Sequence, residues 1–554
     1  MQETVAPVLA PVFALSPGQP GFPAPRLLAD LVHQQARCRP AALALGGDGG
    51  ALDYGGLSQQ LHLMGGWLAA RGVSRGERVA VYLDKRQEFV IACFGAGAVG
   101  GVFVPVNPVL KAEQVVHILR DCDVRVLVTA GARLQSLVEV LPDCPALREV
   151  LLVDARPDAL ALPPALRLHD WTELHDARPQ EAAAPVLDSD MAAILYTSGS
   201  TGKPKGVVLS HRNLVLGAQS VAQYLGNHAD DVLLAALPLS FDAGFSQLST
   251  GFLVGAKVVL LNYLMPRDVL KALDREGITG LTAVPPLYIQ LTQLAWPEGA
   301  GRSLRYFANT GGRMPRETLD RLRERLPQAA PFLMYGLTEA FRSTYLPPSE
   351  VDRRPDSIGR AIPNAEILVL REDGSLCEAD EPGELVHRGP LVGLGYWNDA
   401  EKTAERYKPL PAGVGGREAG LQLPEYAVFS GDTVRRDAEG FLYFIGRRDE
   451  MIKTSGYRVS PVEVEELLYR SGLVGECAAY GMPHEQLGQC IEVVFCPPEG
   501  TEADPAALQA FCRKHMPAYM LPSRLLAASG PLPRNPNGKI DRKRLQQQAL
   551  AAED

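Results

Sequence analysis

YTSGSTGKPKGV, residues 196–207, is the stretch from which the rest of the chain can be read. A short apolar run, residues 191–195, precedes it at strand length. Val207, Val208 and Leu209 follow and lead to Ser210, which reads as a helix N-cap. Beyond it Leu214, Ala218, Val221, Ala222 and Leu225 recur at helical spacing. A loop of Gly, Ser and Thr thus joins a buried strand to the element that leads into an amphipathic helix. Small residues let backbone N–H groups and hydroxyls close around phosphate oxygens, and Lys203 and Lys205 supply positive charge. The common P-loop, G-x-x-x-x-G-K-[ST], is a different pattern. Here Gly199 and Gly202 lie too close together, and Pro204 follows Lys203 where Ser or Thr would hold magnesium. A six-residue Gly/Ser match would be read as a linker; a run this long and specific is not.

At 554 residues the chain is too long for a single core, so two or more domains are expected. A hydrophobic content of 46% with 21% charged residues is that of an ordinary soluble globular protein. The formal net charge of -9 argues against nucleic acid as the main partner. Nine cysteines without a C-x-x-C pair form neither a disulfide framework nor a zinc site, and fit a reducing cytoplasm. No stretch reaches about 18 uninterrupted apolar residues, so no membrane span is expected. No basic segment precedes the first apolar residues, so no secretory signal is read.

Residues 1–25 are proline-rich and read as a poorly ordered extension. Helix-like patterns at 27–37 and 57–71 then alternate with strand-like runs at 78–83, 102–106 and 124–129. That rhythm predicts an α/β protein with largely parallel, layered sheets. Strand-like segments at 366–370 and 384–388 suggest a smaller β region, and the last hundred or so residues read as a compact α+β unit. Within it Ser460, Pro461 and Glu463 have the form of a capping box with proline at the first helical position.

The stretch at 196–207 resembles the phosphate-binding loop of the AMP-forming adenylating enzymes: acyl-CoA synthetases, peptide-synthetase adenylation domains and luciferases. Further motifs follow in that superfamily's order: GGVFVPVNP (100–108), LPLSFDAGFS (237–246), AVPP (283–286), NTGG (309–312), MYGLTEA (334–340), FSGDTVRRDAEGFLYFIGRRDEMIKTSGYRVSP (429–461) and PLPRNPNGKIDRKRL (531–545). The resemblance covers about residues 27–545. It implies a large N-terminal domain (26–446) of layered α/β subdomains plus a β subdomain, a hinge (447–451), and a small mobile α+β C-terminal domain (452–550).

It also implies roles for individual residues. Thr197, Ser198, Gly199, Ser200, Thr201, Gly202 and Lys205 would hold the polyphosphate of ATP. Gly311 and Gly312 would line the adenine pocket, while Tyr335 would stack on the base. Thr338 would contact the α-phosphate and Glu339 bind Mg²⁺, an ion that takes few carboxylates and completes its shell with water and phosphate. Asp432 would accept the two ribose hydroxyls, and Arg447 would contact ribose and phosphate. Asp449 falls at the hinge and Gly456 on the tunnel for a pantetheine thiol, with Lys453 and Arg458 in the same region. Lys539 matches the catalytic lysine. Arg313 stands where the family often has Glu or Ala, which leaves its role open.

The acyl pocket is the point of divergence. Phe241 and Asp242 stand where many acyl-CoA synthetases carry a histidine, and Phe-Asp is common in amino-acid adenylating domains, where the Asp holds the substrate ammonium. A carboxylate in an apolar pocket is costly unless it meets a cation; a helix start would explain the same residue. The resemblance therefore implies an ATP- and Mg²⁺-dependent acid–CoA ligase. An enzyme loading an amino acid onto the phosphopantetheine of a separate carrier protein is the alternative, and a non-catalytic nucleotide-binding regulator is a third reading. The segments at 109–130 and 335–348 are similar to acyl-CoA ligases associated with exosortase A systems.

Overall fold

The computed structural model describes residues 24–157, 161–179, 185–197, 204–416, 420–447, 450–454, 457–484, 487–516, 520–535 and 538–553. Of the sequence-based expectations, the extension up to residue 23, Ser198 to Gly202, Lys203, Asp449 and Gly456 fall outside the described residues.

Two large sheets form the body, each with six parallel strands at its heart. In the eight-stranded sheet the parallel strands end at Met191–Thr197, which folds back as an antiparallel hairpin onto Lys205–Ser210. In the nine-stranded sheet, Gly280–Ala283, Tyr306–Asn309 and Ala330–Tyr335 lie side by side and in parallel, so their C-terminal ends finish together. The crevice outside such strand ends is where open α/β sheets bind ligands. The near-continuous apolar runs follow from burial on both faces.

Helices fill the space between the sheets. Asp242–Val254 is enclosed nearly all round, with its polar Ser246, Gln247, Ser249 and Thr250 buried along with its apolar residues. Its Phe245 stacks on Phe103 of one sheet strand (centroids 4.8 Å apart) and on Phe94 of Gln87–Ala98 (5.6 Å). A five-stranded antiparallel sheet containing Glu366–Leu370, Gly383–Arg388 and Tyr426–Arg436 follows. A fourth sheet is built from strands between residues 452 and 527, flanked by Pro461–Tyr469, Pro505–His515 and Arg542–Glu553. This is the α/β body with an α+β C-terminal unit that the sequence predicts.

Several helix ends differ from the periodicity. The helix expected over 57–71 is Tyr54–Ala70, because Asp53 caps it by accepting from the Gly56 amide at 2.7 Å. The helix expected from 27 begins at Asp30, whose carboxylate accepts the amides of Arg26 and Leu27 at 2.9 Å each and turns the preceding residues into its lead-in. At Ser460 the serine half of the capping box is present, with Oγ accepting from the Glu463 amide at 3.4 Å, and Ser460 Oγ also donates to the Ile445 carbonyl. Ser210 caps His211–Leu225 as expected, accepting from the Asn213 amide at 3.1 Å.

Candidate active site

The strand ends bring the sequence-distant motifs to one crevice. Thr197 pairs with Lys205 at the connecting end of the hairpin, so the two flank residues 198–204, on which the remaining phosphate contacts were expected. The Lys205 ammonium lies 5.6 Å from the Tyr396 ring centroid, and desolvation holds its pKa below the usual lysine value. Tyr396 donates in turn to Glu339 Oε1. Glu339 sits in the single 3-10 turn Thr338–Ala340, directly after Tyr335, and the Gly393 amide donates to its carbonyl at 2.8 Å. Lys205, Tyr396 and Glu339 therefore run as a chain from the hairpin to the strand end.

Opposite lies an antiparallel pair, Tyr426–Arg436 against Leu442–Arg447, whose register sets Asp432 directly across from Arg447. Asp432 is 8% exposed. Its Oδ2 accepts from the Tyr335 hydroxyl and its amide donates to Ser430 Oγ at 3.0 Å, while Oδ1 is buried without a hydrogen bond among the described residues. Arg447 Nη1 stands 3.8 Å from that oxygen, too far for a hydrogen bond. Desolvation raises the Asp432 pKa; the charge of Arg447, the Tyr335 hydrogen bond and the charge of Lys539 oppose it. An acceptor left open in this way calls for a donor from a ligand. Asn309 presents a second one: its Nδ2 donates to the Gly312 carbonyl at 3.1 Å, and Oδ1 is buried without a partner beside Gly311 and Gly312.

Lys539 reaches this crevice from the C-terminal unit. Gly538, at φ 79°, takes the left-handed conformation that the turn needs. Asn535 then holds the lysine backbone twice, accepting from its amide at 3.1 Å and donating to its carbonyl at 2.8 Å. The side chain is solvent-accessible at the mouth, yet the surrounding protein lowers its pKa by desolvation, with Asp432 raising it, Arg447 lowering it, and Asp242 and Glu450 raising it. The C-terminal unit is thus docked with its lysine turned toward the N-terminal carboxylates. Arg313 marks the junction, pairing with Asp356 and with Glu466 on Pro461–Tyr469.

Asp242 is neither an N-cap nor an unpaired carboxylate. It is the first residue of its helix, Phe241 being the N-cap. Arg342 Nη1 donates to Asp242 Oδ2 at 2.9 Å and the Thr338 hydroxyl donates to Oδ1 at 3.3 Å. The cation that a buried carboxylate requires comes from the protein. Arg342, 3% exposed, was missed in the sequence because it follows the recognised motif and looks like any arginine. Asn309, Tyr396 and Ser430 were likewise invisible as individual site residues. Among the described residues no group of three or more His, Cys, Asp or Glu is placed to hold a metal ion. A lone carboxylate such as Glu339 fits magnesium bound chiefly through phosphate and water, and not a metal caged by protein ligands.

A family model for the AMP-binding enzyme matches residues 32–397, and one for the AMP-binding enzyme C-terminal domain matches 463–539. The chain belongs to the AMP-binding enzyme family. A feruloyl-CoA synthase of Amycolatopsis sp is 29% identical over 515 residues, covering 92% of this chain and 96% of that one. Tyrocidine synthase 1 of Brevibacillus parabrevis is 27% identical over 528 residues, 94% of this chain but 45% of the larger protein. The structure of an anthranilate CoA ligase in complex with anthranoyl-AMP superposes with a TM-score of 0.84 at 25% identity, covering 96% and 99% of the two chains. The family resemblance is thereby established; nothing in these likenesses bears on an exosortase A association.

Proposed function

We propose that this family member joins a carboxylic acid to the thiol of CoA at the expense of ATP, through an acyl-adenylate. The observation that carries the reading is the buried, half-satisfied Asp432 facing Lys539 across the junction of the two units. The open Oδ1 suits a ribose hydroxyl, and the open Asn309 Oδ1 suits the amino group of adenine. Tyr335, tied to Asp432, forms a wall beside them on which the base can lie. Magnesium held at Glu339 with the polyphosphate would neutralise charge on the phosphate oxygens.

In the first half-reaction a carboxylate oxygen of the acid attacks the α-phosphorus and pyrophosphate leaves. No general base is required, because a carboxylic acid is ionised at neutral pH. Lys539 stabilises charge on the transferring oxygens, joined by Thr338 once its hydroxyl turns from Asp242, and Lys205 stabilises that on the leaving group. In the second, the C-terminal unit turns about the segment containing Asp449, Lys539 withdraws, and the thiol attacks the acyl carbonyl past Gly456, expelling AMP. Asp242 supports a plain acid over an α-amino acid, since Arg342 at 2.9 Å already neutralises its charge.

Acid-dependent ATP–pyrophosphate exchange, followed by CoA-dependent release of AMP, tests the proposal. Exchange with acids lacking an amino group, and thioester formation with CoA, is the expected result. Exchange confined to one α-amino acid and lost in Asp242→Ala would instead identify a carrier-loading enzyme.

A further inference from the structure

The cavity behind Asp242 carries a more specific statement about the acid, one that rests on the adenylation reading above. It lies between the helices His211–Leu225 and Asp242–Val254 and the strands of the nine-stranded sheet. Its free space is about 20 Å³, room for one water-sized group and not for an aryl ring or a fatty chain. Three of its lining side chains are deeply buried: Thr250 at 2%, Arg342 at 3% and Gln247 at 7% exposure. Each has a buried polar atom without a partner among the described residues: Thr250 Oγ1, Arg342 Nε and Gln247 Oε1. A buried donor or acceptor left unsatisfied is costly, so each of the three calls for a partner.

The chemistry of the three atoms is directional. Arg342 Nε can only donate, Gln247 Oε1 can only accept, and Thr250 Oγ1 can do either. The Gln247 orientation is fixed, because its Nε2 donates to the Leu234 carbonyl at 2.7 Å and leaves the oxygen open. A group that satisfies them must both donate and accept. The guanidinium is already neutralised by Asp242 at 2.9 Å, so there is no spare charge for a second carboxylate or an ammonium. Arg342 is also deliberately aimed. The preceding Phe341 has φ 60° and ψ −50°, a strained conformation for a residue with a side chain, and its ring sits against Gly217.

We propose that this cavity selects a short carboxylic acid bearing one uncharged hydroxyl, read by Arg342, Gln247 and Thr250. These three are specificity residues; the chemistry at the carboxylate takes place outside the cavity.

The test is ATP–pyrophosphate exchange with a size-matched panel: butyrate, 3-hydroxybutyrate, succinamate, succinate, β-alanine and benzoate. The hydroxy acid should exceed butyrate in kcat/KM by about 100-fold or more, since a site built to bond a polar group rejects the analogue lacking it; succinamate, whose carboxamide is larger than the cavity, should not. Thr250→Val with Gln247→Leu should bring butyrate level with the hydroxy acid or ahead. Thr250→Ser should retain the preference. The wild-type panel decides the matter even if the double variant does not fold. Equal or better turnover of butyrate or benzoate by the wild type overturns the inference and leaves adenylation standing, as does a preference for succinamate, succinate or β-alanine. A polar preference that survives the double variant also overturns it. Silence with these acids and with a broad acid library would sink the adenylation reading, and this inference with it.

Discussion

Lys539 carries its charge into a crevice that already holds Asp432, Arg447 and Asp242, and its protonation state is therefore part of the chemistry. Replacing it by Ala should lower acid-dependent ATP–pyrophosphate exchange by at least about 100-fold, the scale of losing one preorganised charge at a transition state. Reaction of a supplied acyl-adenylate with CoA should change far less, because the proposed thiol step takes place with Lys539 withdrawn. The wild-type exchange rate should also show an alkaline limb. Desolvation lowers the lysine pKa, so the protonated amine is lost at a lower pH than an exposed lysine would lose it. A pH profile in which the limb disappears in Lys539→Ala checks the assignment; a wild-type rate flat up to the ordinary lysine range counts against it.

Elements place these residues, and two positions on His211–Leu225 show how. A Cβ at Gly217 would stand 2.3 Å from Phe341 Cδ1, and Phe341 directs Arg342 to Asp242. Gly217→Ala should destabilise the fold by about 1–3 kcal/mol through overpacking. It should also alter acid selectivity more than the KM for ATP, a split that steady-state exchange kinetics measures. At the start of the same helix, neutral His211 accepts the Leu28 amide on Nδ1 at 3.1 Å. Burial lowers its pKa from 6.5 to about 4. The unfolded chain therefore binds the proton more readily, so the stabilisation is full above pH 6.5 and is lost as the pH falls toward 4. Thermal melts should show Tm dropping over that window, and His211→Asn, which keeps an acceptor near Nδ1, should make the drop shallower. The strand–loop–strand–helix order around 196–207 was legible because burial and capping write themselves into period and residue type. Asp432 and Arg447 were legible only as motif members; that they face one another across a two-strand register is a fact of pairing. Arg342 was not legible at all, because its partner lies a hundred residues away on another element. The start of Tyr54–Ala70 was missed because a pair of glycines hides the cap supplied by Asp53.

At the scale of the molecule, the question is what holds the C-terminal unit with Lys539 inward. Arg313, from the loop after Tyr306–Asn309, pairs with Glu466 on the first helix of that unit and with Asp356 on its own side. Desolvation lowers the pKa of Arg313, Asp356 opposes this, and the nearby charge of Arg470 adds to the lowering. In the proposed cycle the ion pair would form only while Lys539 is inward, and only an interaction that differs between arrangements can shift the balance between them. Glu466→Ala should therefore weaken adenylation while leaving the reaction of preformed acyl-adenylate with CoA unchanged or faster. Truncating one member of a partly buried pair costs more than the pair is worth, because it leaves the other charge unmatched. The decisive variant is accordingly the exchange Arg313→Glu with Glu466→Arg. Asp356 then faces a like charge, so recovery of adenylation should be partial, greater than in either single variant but short of the wild type. Equal losses in both half-reactions would mean that the pair merely stabilises the fold. A loss confined to adenylation would make Arg313 the residue that sets how long the lysine stays in place.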